Sequence, residues 1–394
     1  MSEPYFPQLI FASPSGKTPR VMIAPPRYIQ GDGVLDDLGR YLSLIKAKRS
    51  AVLISKRGLQ ADGIRILASM KAAGIESVIA IFNGECSKEE VALHKNTLQA
   101  DSVDCLIAVG GGKCIDAGKS IAYKLGVPVA VVPTLASNDA PCSALSVMYG
   151  TGGEVTDVEF FPDNPALVVV DTGVVARASE RYLVAGMGDA MATWYEARVC
   201  IDNPNAMSTI GGRPTLAACA IGEVCAKTLF EEGVAACASV QSKSVSESLE
   251  KVVEANTLLS GIGFESGGLA VAHSIAQSYA LIPVVHDNYL HGEMVAMGTL
   301  AQVMMESTDE ANRVAQFFAA VGLPIHLGQL SLDADNQDDI KLIVEASIGN
   351  AMVHNMPMPV TADLIRSSIL GAHELGLSVT SEFGDQAYRR LQES

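Results

Sequence analysis

Short runs of β-branched and other apolar residues alternate with amphipathic stretches through the first 170 residues and then cease, and this change of period limits what the chain can fold into. The runs are AVLIS (51–55), SVIAIF (77–82), DCLIAVG (104–110), VPVAVVPT (127–134) and ALVVVD (166–171), with amphipathic stretches at 58–73, 87–100 and 114–126 between them. Apolar strands joined by helices of that length read as βαβ units on a parallel sheet covered on both faces. The segment RVMIAPPRYIQGDGVLDDLGRYL (20–42) supplies an edge strand and a first helix, with Gly31 and Gly33 punctuating the turn. Beyond residue 172 the stretches are Ala-, Leu- and Met-rich with helical period, broken by turn clusters at 201–206, 264–268 and 284–289. The expected architecture is therefore α/β: a parallel-sheet domain over 1–171, then an all-helical domain over 172–394. In such sheets ligands bind at the carboxyl ends of the strands.

With 394 residues and 48% hydrophobic content the chain can bury the core of two domains. Its 28 basic and 44 acidic residues leave a net charge of −16, which repels a nucleic acid over most of the surface. A small neutral ligand is indifferent to that charge, and a dinucleotide needs only a local group of backbone donors at a helix start. The eight cysteines include no C-x-x-C and lie in apolar contexts, as expected of reduced thiols in a cytoplasmic protein. The N-terminus has acidic and proline residues where a signal peptide needs a basic start and an apolar run. The longest apolar runs reach about half of the ~20 residues a membrane helix requires, so no membrane association is expected.

Two groups of residues carry chemistry. Gly110-Gly111-Gly112-Lys113 follows the strand DCLIAVG and precedes a helix, leaving bare N–H groups at a helix start, a geometry that holds a pyrophosphate. Ile115 stands where G-x-G-x-x-G wants its last glycine and Ile107 where a Walker loop wants its first, while Gly118-Lys119-Ser120 lies inside the helix and is a decoy. Taken alone, the triple-glycine turn is equally readable as a tight structural connection. The second group is Asp189, His273 and His291. One carboxylate and two neutral imidazoles make a divalent-metal site with a position left open for an oxygen ligand. Each also has a plain reading: Asp189 as a cap after Gly188, His273 as a core histidine, His291 as a helix-start residue. Asn138-Asp139-Ala140-Pro141 likewise reads as a turn before proline.

GMGDA around Asp189, the Gly-Gly-Leu-Ala-Val-Ala run ending at His273, His291-Gly292-Glu293, Tyr28-Ile29-Gln30-Gly31 and PTLASNDAPCSALSVMY (133–149) together resemble the glycerol dehydrogenase branch of the iron-containing alcohol dehydrogenase family. The resemblance runs over roughly residues 26–300 and is compositional beyond that. It implies Asp189, His273 and His291 as ligands of Zn²⁺, with Fe²⁺ or another divalent ion as the alternative, and as the substrate-binding set together with Asp139. Catalysis is then expected of Asp139 and His291, Asp139 holding a second hydroxyl of a vicinal diol. Gly111, Gly112 and Lys113 would line the cofactor pyrophosphate, Thr134 and Ser137 the neighbouring ribose or nicotinamide, and Ser143, Leu145 and Tyr149 the nicotinamide pocket; plain core packing is the other reading of Leu145 and Tyr149. The implied activity is NAD-dependent oxidation of the secondary hydroxyl of glycerol, or a related diol, to the hydroxyketone (dihydroxyacetone from glycerol), in a cleft between the domains of a homo-octamer.

One departure bears on the cofactor. Where the family commonly places an Asp against the adenosine ribose, this chain has Ser55-Lys56-Arg57, which leaves NADP open beside the leading NAD. The remaining readings are a polyol or polyol-phosphate dehydrogenase of the same fold using NADP, a related dehydroquinate-forming lyase, and a nucleotide-binding homologue without turnover. Phosphorylated substrates need basic side chains that His291-Gly292-Glu293-Met294 does not offer. His286 stays outside the ligand set, and His94, His326, His354 and His373 read as packing or surface residues.

Overall fold

The computed structural model describes residues 4–11, 17–150 and 153–393. Two compact units are present, one built on Ile23–Ala178 and the other on Ser179–Ser242 and Ser246–Ser394. The first unit holds strands β1 (Tyr28–Gly31), β2 (Arg49–Ile54), β3 (Glu76–Ile81), β4 (Cys105–Gly110), β5 (Val129–Pro133), β6 (Leu145–Tyr149), β7 (Val155–Phe160) and β8 (Leu167–Asp171). Six of them form a parallel sheet in the order β1-β8-β5-β4-β2-β3.

Strand alternation sorts the core into two layers. Val52, Ile54, Ile107, Val109, Val132 and Val169 face one way and pack with Leu38, Leu42, Ile66 and Met70 of the helices Leu38–Leu42 and Ile64–Ala72. Ala51, Leu53, Leu106 and Ala108 face the other way, against Val91 and Leu98 of Lys88–Ala100 and Ala117 and Ile121 of Gly112–Leu125. Burial on both faces is why these strands read as unbroken apolar runs. β2 leads outward to β3 and β4 leads the opposite way to β5, so the direction of winding reverses between β2 and β4. Their register pairs Ile54 with Val109, which brings the Ser55 turn beside the glycine turn at the strand ends.

One feature departs from expectation in this unit, and one expected decoy is explained by packing. Residues 145–160 contain an antiparallel hairpin of β6 and β7, separate from the main sheet. β7 is exposed along most of its length, so its residues carry little apolar signal. Gly118, in the decoy Gly118-Lys119-Ser120, serves packing: a Cβ there would run into Ala108, so the glycine lets the helix lie close on β4.

The second unit is helical, with no strand among its described residues. Its ligand-bearing helices are Glu180–Asp202, Val271–Tyr279 and His291–Glu306. Two of the expected turns are helical instead. Residues 264–267 end the helix Ser260–Gly267, because Gly263 and Gly267 serve close approach to Thr193 and Ala197; the chain turns only at Gly268, with φ +100°. Residues 284–288 belong to the short helix Pro283–Asn288, started by a proline at its first position. All eight cysteines are free and buried, and no helix of the described residues is long and apolar enough to cross a membrane.

Candidate metal centre and nucleotide loop

Glycine contacts draw the three ligand helices together. A Cβ on Gly188 would run into Gly292 O, one on Gly292 into Ala185 O, and one on Gly298 into Ala272 O. Each contact lies next to a ligand in sequence: Gly188 precedes Asp189, Gly292 follows His291, and Ala272 precedes His273. Backbones approach more closely here than side chains would allow.

The result is a compact cluster. Asp189 Oδ1 lies 3.5 Å from His273 Nε2 and 3.3 Å from His291 Nε2, and one ligand atom from each residue falls within 4.8 Å of the others. Tetrahedral Zn²⁺ with bonds of about 2.0–2.1 Å has ligand–ligand edges of about 3.3 Å, so the two measured separations fit such an ion. Asp189 is 1% exposed, and neither of its oxygens receives a well-formed hydrogen bond from the protein. A buried carboxylate without donors is costly unless a cation faces it. Burial favours the neutral acid, yet His291 and His273 hold the Asp189 carboxyl well below the usual carboxylate range. The His291 side chain is 48% exposed, so the cluster meets solvent on that side.

A second carboxylate stands behind the first. Glu196, fully buried, accepts from His273 Nδ1 at 2.5 Å and from the backbone N–H groups of Ala270 at 2.7 Å and His273 at 3.0 Å. Gln302 accepts from Ala272 N at 2.9 Å and donates to Tyr195 O at 2.9 Å. These two side chains satisfy donors at the start of Val271–Tyr279 that would otherwise be orphaned in the core. Burial works against a His273 cation, but Glu196 and Asp189 outweigh it and raise the proton affinity of the ring well above its ordinary value. The pocket is therefore built to hold positive charge.

His291 is placed by its helix start. Glu293 accepts from Leu290 N at 2.7 Å, and Arg181 grips the same carboxylate with two bonds of 2.8 Å while donating to Asn288 O at 2.8 Å. His286 lies outside the cluster, its Nδ1 3.0 Å from Asp287 Oδ1.

In the first unit, Gly111 caps the helix Gly112–Leu125 without any side-chain bond. A Cβ on Gly112 would come to 2.7 Å from Asn138 Nδ2, and one on Gly111 to 3.2 Å from Leu135 Cδ1; the 134–138 loop closes over the glycine turn. Thr134 N donates to Gly110 O at 3.0 Å, and Ser137 is half-buried in the same loop. Lys113 Nζ sits 2.6 Å from Glu85 Oε2 and 4.8 Å from the centre of the Tyr149 ring. Asp139, half-buried, precedes the turn Ala140–Cys142 without using its carboxylate to cap it. Ser143 is fully buried and engaged with Lys119 Nζ at 3.1 Å and Ala140 O at 3.2 Å. Leu145 is 8% exposed and Tyr149 half-buried, its N–H on Cys86 O at 2.8 Å.

Sequence reasoning passes over Glu196, Gln302 and Glu85, and meets Lys119 only as part of the decoy Gly118-Lys119-Ser120. Glu196 has a signal: it follows Asp189 by seven residues, two helical turns, and shares its face. Lys119 has none, since a lysine 2% exposed, paired with Asp116 at 2.9 Å and bonded to Ala140 O at 2.9 Å, looks in sequence like any other helical lysine.

Comparison with known proteins places these features in a family. The model for iron-containing alcohol dehydrogenase matches residues 25–172. Glycerol dehydrogenase of Escherichia coli O6:H1 is 42% identical over 92% of this chain and 99% of its own. That of Thermotoga maritima is 42% identical over 90% of this chain and 97% of its own. The crystal structure of glycerol dehydrogenase from Schizosaccharomyces pombe superposes with a TM-score of 0.85 at 33% identity, covering 93% of each chain. Coverage this wide corrects the expected limit near residue 300, because the likeness continues into the last helices. Similar to such relatives along almost their whole length, the chain belongs to the iron-containing alcohol dehydrogenase family.

Proposed function

We propose that this enzyme oxidises the secondary hydroxyl of glycerol, or of a related vicinal diol, to the hydroxyketone, using NAD and a divalent metal held by Asp189, His273 and His291. The observation that carries the metal reading is the spacing of those ligand atoms around a buried carboxylate that lacks donors. The glycerol reading is supported by the names of relatives at 42% identity. A bound divalent ion supplies a Lewis acid that polarises an alcohol oxygen, and bound NAD supplies the hydride acceptor. The chain's part is placement. Glu196 fixes the ring of His273, Arg181 and Glu293 fix the helix start at His291, and His291 is the ligand on the solvent side. Asp139 is proposed to hydrogen-bond a neighbouring hydroxyl and orient the carbon to be oxidised. Gly111, Gly112 and Lys113 are proposed to hold the pyrophosphate, which requires Lys113 to exchange Glu85 for phosphate; Thr134, Ser137, Ser143, Leu145 and Tyr149 are proposed to shape the ribose and nicotinamide end.

The test is metal removal. Chelator-treated protein is expected to lose glycerol-dependent NAD reduction and to recover it with Zn²⁺; elemental analysis of the protein as purified identifies the resident ion. Activity indifferent to chelation would end the proposal.

Cofactor choice is a separate expectation. Ser55 caps the turn after β2, accepting from Gly58 N at 3.0 Å, and leaves Lys56 and Arg57 exposed at the strand end beside the glycine turn. A basic group there attracts a 2′-phosphate and an acidic one repels it. Lys56→Asp is expected to shift the ratio of kcat/KM values toward NAD over NADP by roughly tenfold, the effect of about 1.4 kcal/mol. An unchanged ratio would show that this turn does not read the ribose.

A further inference from the structure

Lys119, buried in the helix Gly112–Leu125, carries a charge that the chemistry proposed above leaves unused. Asp116, one turn earlier and also buried, pairs with it at 2.9 Å. A buried ion pair adds little stability by itself, since desolvation offsets the attraction. What the two side chains hold is more telling. Lys119 Nζ donates to Ala140 O at 2.9 Å, to Ser143 Oγ at 3.1 Å and to Ser143 O at 3.4 Å. Asp116 Oδ2 accepts from Val147 N at 3.1 Å, and the Asp116 carbonyl accepts from Ser146 Oγ at 2.8 Å. One face of one helix therefore grips both ends of the segment 140–147.

That segment begins directly after Asp139. On the other side of Asp139, Asn138 accepts from Ala140 N at 3.2 Å and lies so close to Gly112 that a Cβ there would come to 2.7 Å from its Nδ2. Both chain neighbours of Asp139 are thus fixed to the same helix, Asn138 against its first residue and Ala140 two turns further on. The seven residues from Gly112 to Lys119 span about 10 Å of helix axis. Because the proposed pyrophosphate site lies at the start of this helix, a single rigid element spaces the cofactor phosphates from the carboxylate meant for the substrate. An apolar side chain at position 119 could fill the volume but would leave the Ala140–Cys142 turn without its ammonium donor.

We infer that Lys119 is a positioning residue for diol recognition: its ammonium pins the Ala140–Cys142 turn and so holds Asp139 where it meets the second hydroxyl of the substrate. This role rests on the contact between Asp139 and the diol proposed above.

Asp116→Asn combined with Lys119→Met removes both charges together and keeps an acceptor for Val147 N, so the grip is deleted without stranding a buried ion. Propylene glycol and isopropanol share a secondary carbinol and differ in the neighbouring hydroxyl, so the ratio of their kcat/KM values reads the placement of Asp139. Both values come from the folded molecules of one preparation, and partial unfolding leaves the ratio unmoved. In the zinc-loaded double variant the ratio is expected to fall by roughly 10- to 100-fold, the cost of a displacement of about 1 Å. ADP, which has the pyrophosphate and lacks the nicotinamide, is expected to bind in calorimetry as it does to wild type. Asp139→Ala serves as the reference and is expected to lower the ratio at least as far. A ratio that falls in Asp139→Ala but holds in the double variant would overturn the inference. A parallel loss of ADP affinity would also overturn it, since Lys119 would then support the phosphate turn and not Asp139. A ratio unmoved by Asp139→Ala would overturn the reading of Asp139, and the role of Lys119 with it.

Discussion

Replacing Gly292 by alanine is expected to destabilise the helical unit by about 3 kcal/mol or more, the upper end for overpacking a filled core, and to lower its thermal midpoint by roughly 6–12 °C. In an exposed helix interior the same exchange ordinarily stabilises by about 1 kcal/mol. The sign reverses here because the new Cβ runs into Ala185 O, a backbone atom that can retreat only if the whole helix Glu180–Asp202 moves. That movement separates Asp189 from His291, now 3.3 Å apart, so metal content should fall with stability. Gly222→Ala provides the contrast, since its nearest neighbours stand at 3.5 Å, ordinary contact, and it should leave both properties near wild type. Calorimetry and zinc analysis of the two variants side by side decide the matter. Equal behaviour would mean that close approach at Gly292 does not hold the site together.

What the sequence discloses follows from what a local pattern can carry. The alternation of apolar runs and amphipathic stretches reports burial on both faces of a sheet, and the strands found at 49–54, 76–81, 105–110, 129–133 and 167–171 lie where the runs lie. Asp189, His273 and His291 are recoverable because each sits in a distinctive segment, although nothing in the spacing of residues 189, 273 and 291 implies that they meet. The contacts that make them meet stay hidden. Gly188, Gly292 and Gly298 look like helix-weakening residues until their neighbours are known. The glycines of 264–268 read as a turn for the same reason, although Gly267 serves helix packing and only Gly268 turns the chain. The pairing of Lys113 with Glu85 joins groups from different segments, a contact for which periodicity offers no sign.

Glu196→Gln is expected to weaken Zn²⁺ binding by about 10- to 100-fold, the usual cost of losing the partner of a metal-bound histidine. The substitution is isosteric, so its effect comes from proton placement and not from shape. A carboxylate at 2.5 Å from Nδ1 can only accept, which puts the ring proton on Nδ1 and turns the lone pair of Nε2 toward Asp189. In the variant, the amide oxygen is required by the N–H groups of Ala270 and His273, which leaves the NH₂ group facing the ring. Nδ1 then accepts, Nε2 carries the proton, and the ligand is lost from the cluster. Glu196→Ala goes further, since it strips those backbone donors of their acceptor at about 1–3 kcal/mol each, and should lower stability as well as affinity. Competition titration against a chromogenic chelator separates the cases: the glutamine variant should keep its melting temperature, bind zinc weakly and regain turnover as zinc is raised. Wild-type affinity in the glutamine variant would show that the tautomer of His273 is set by something other than Glu196.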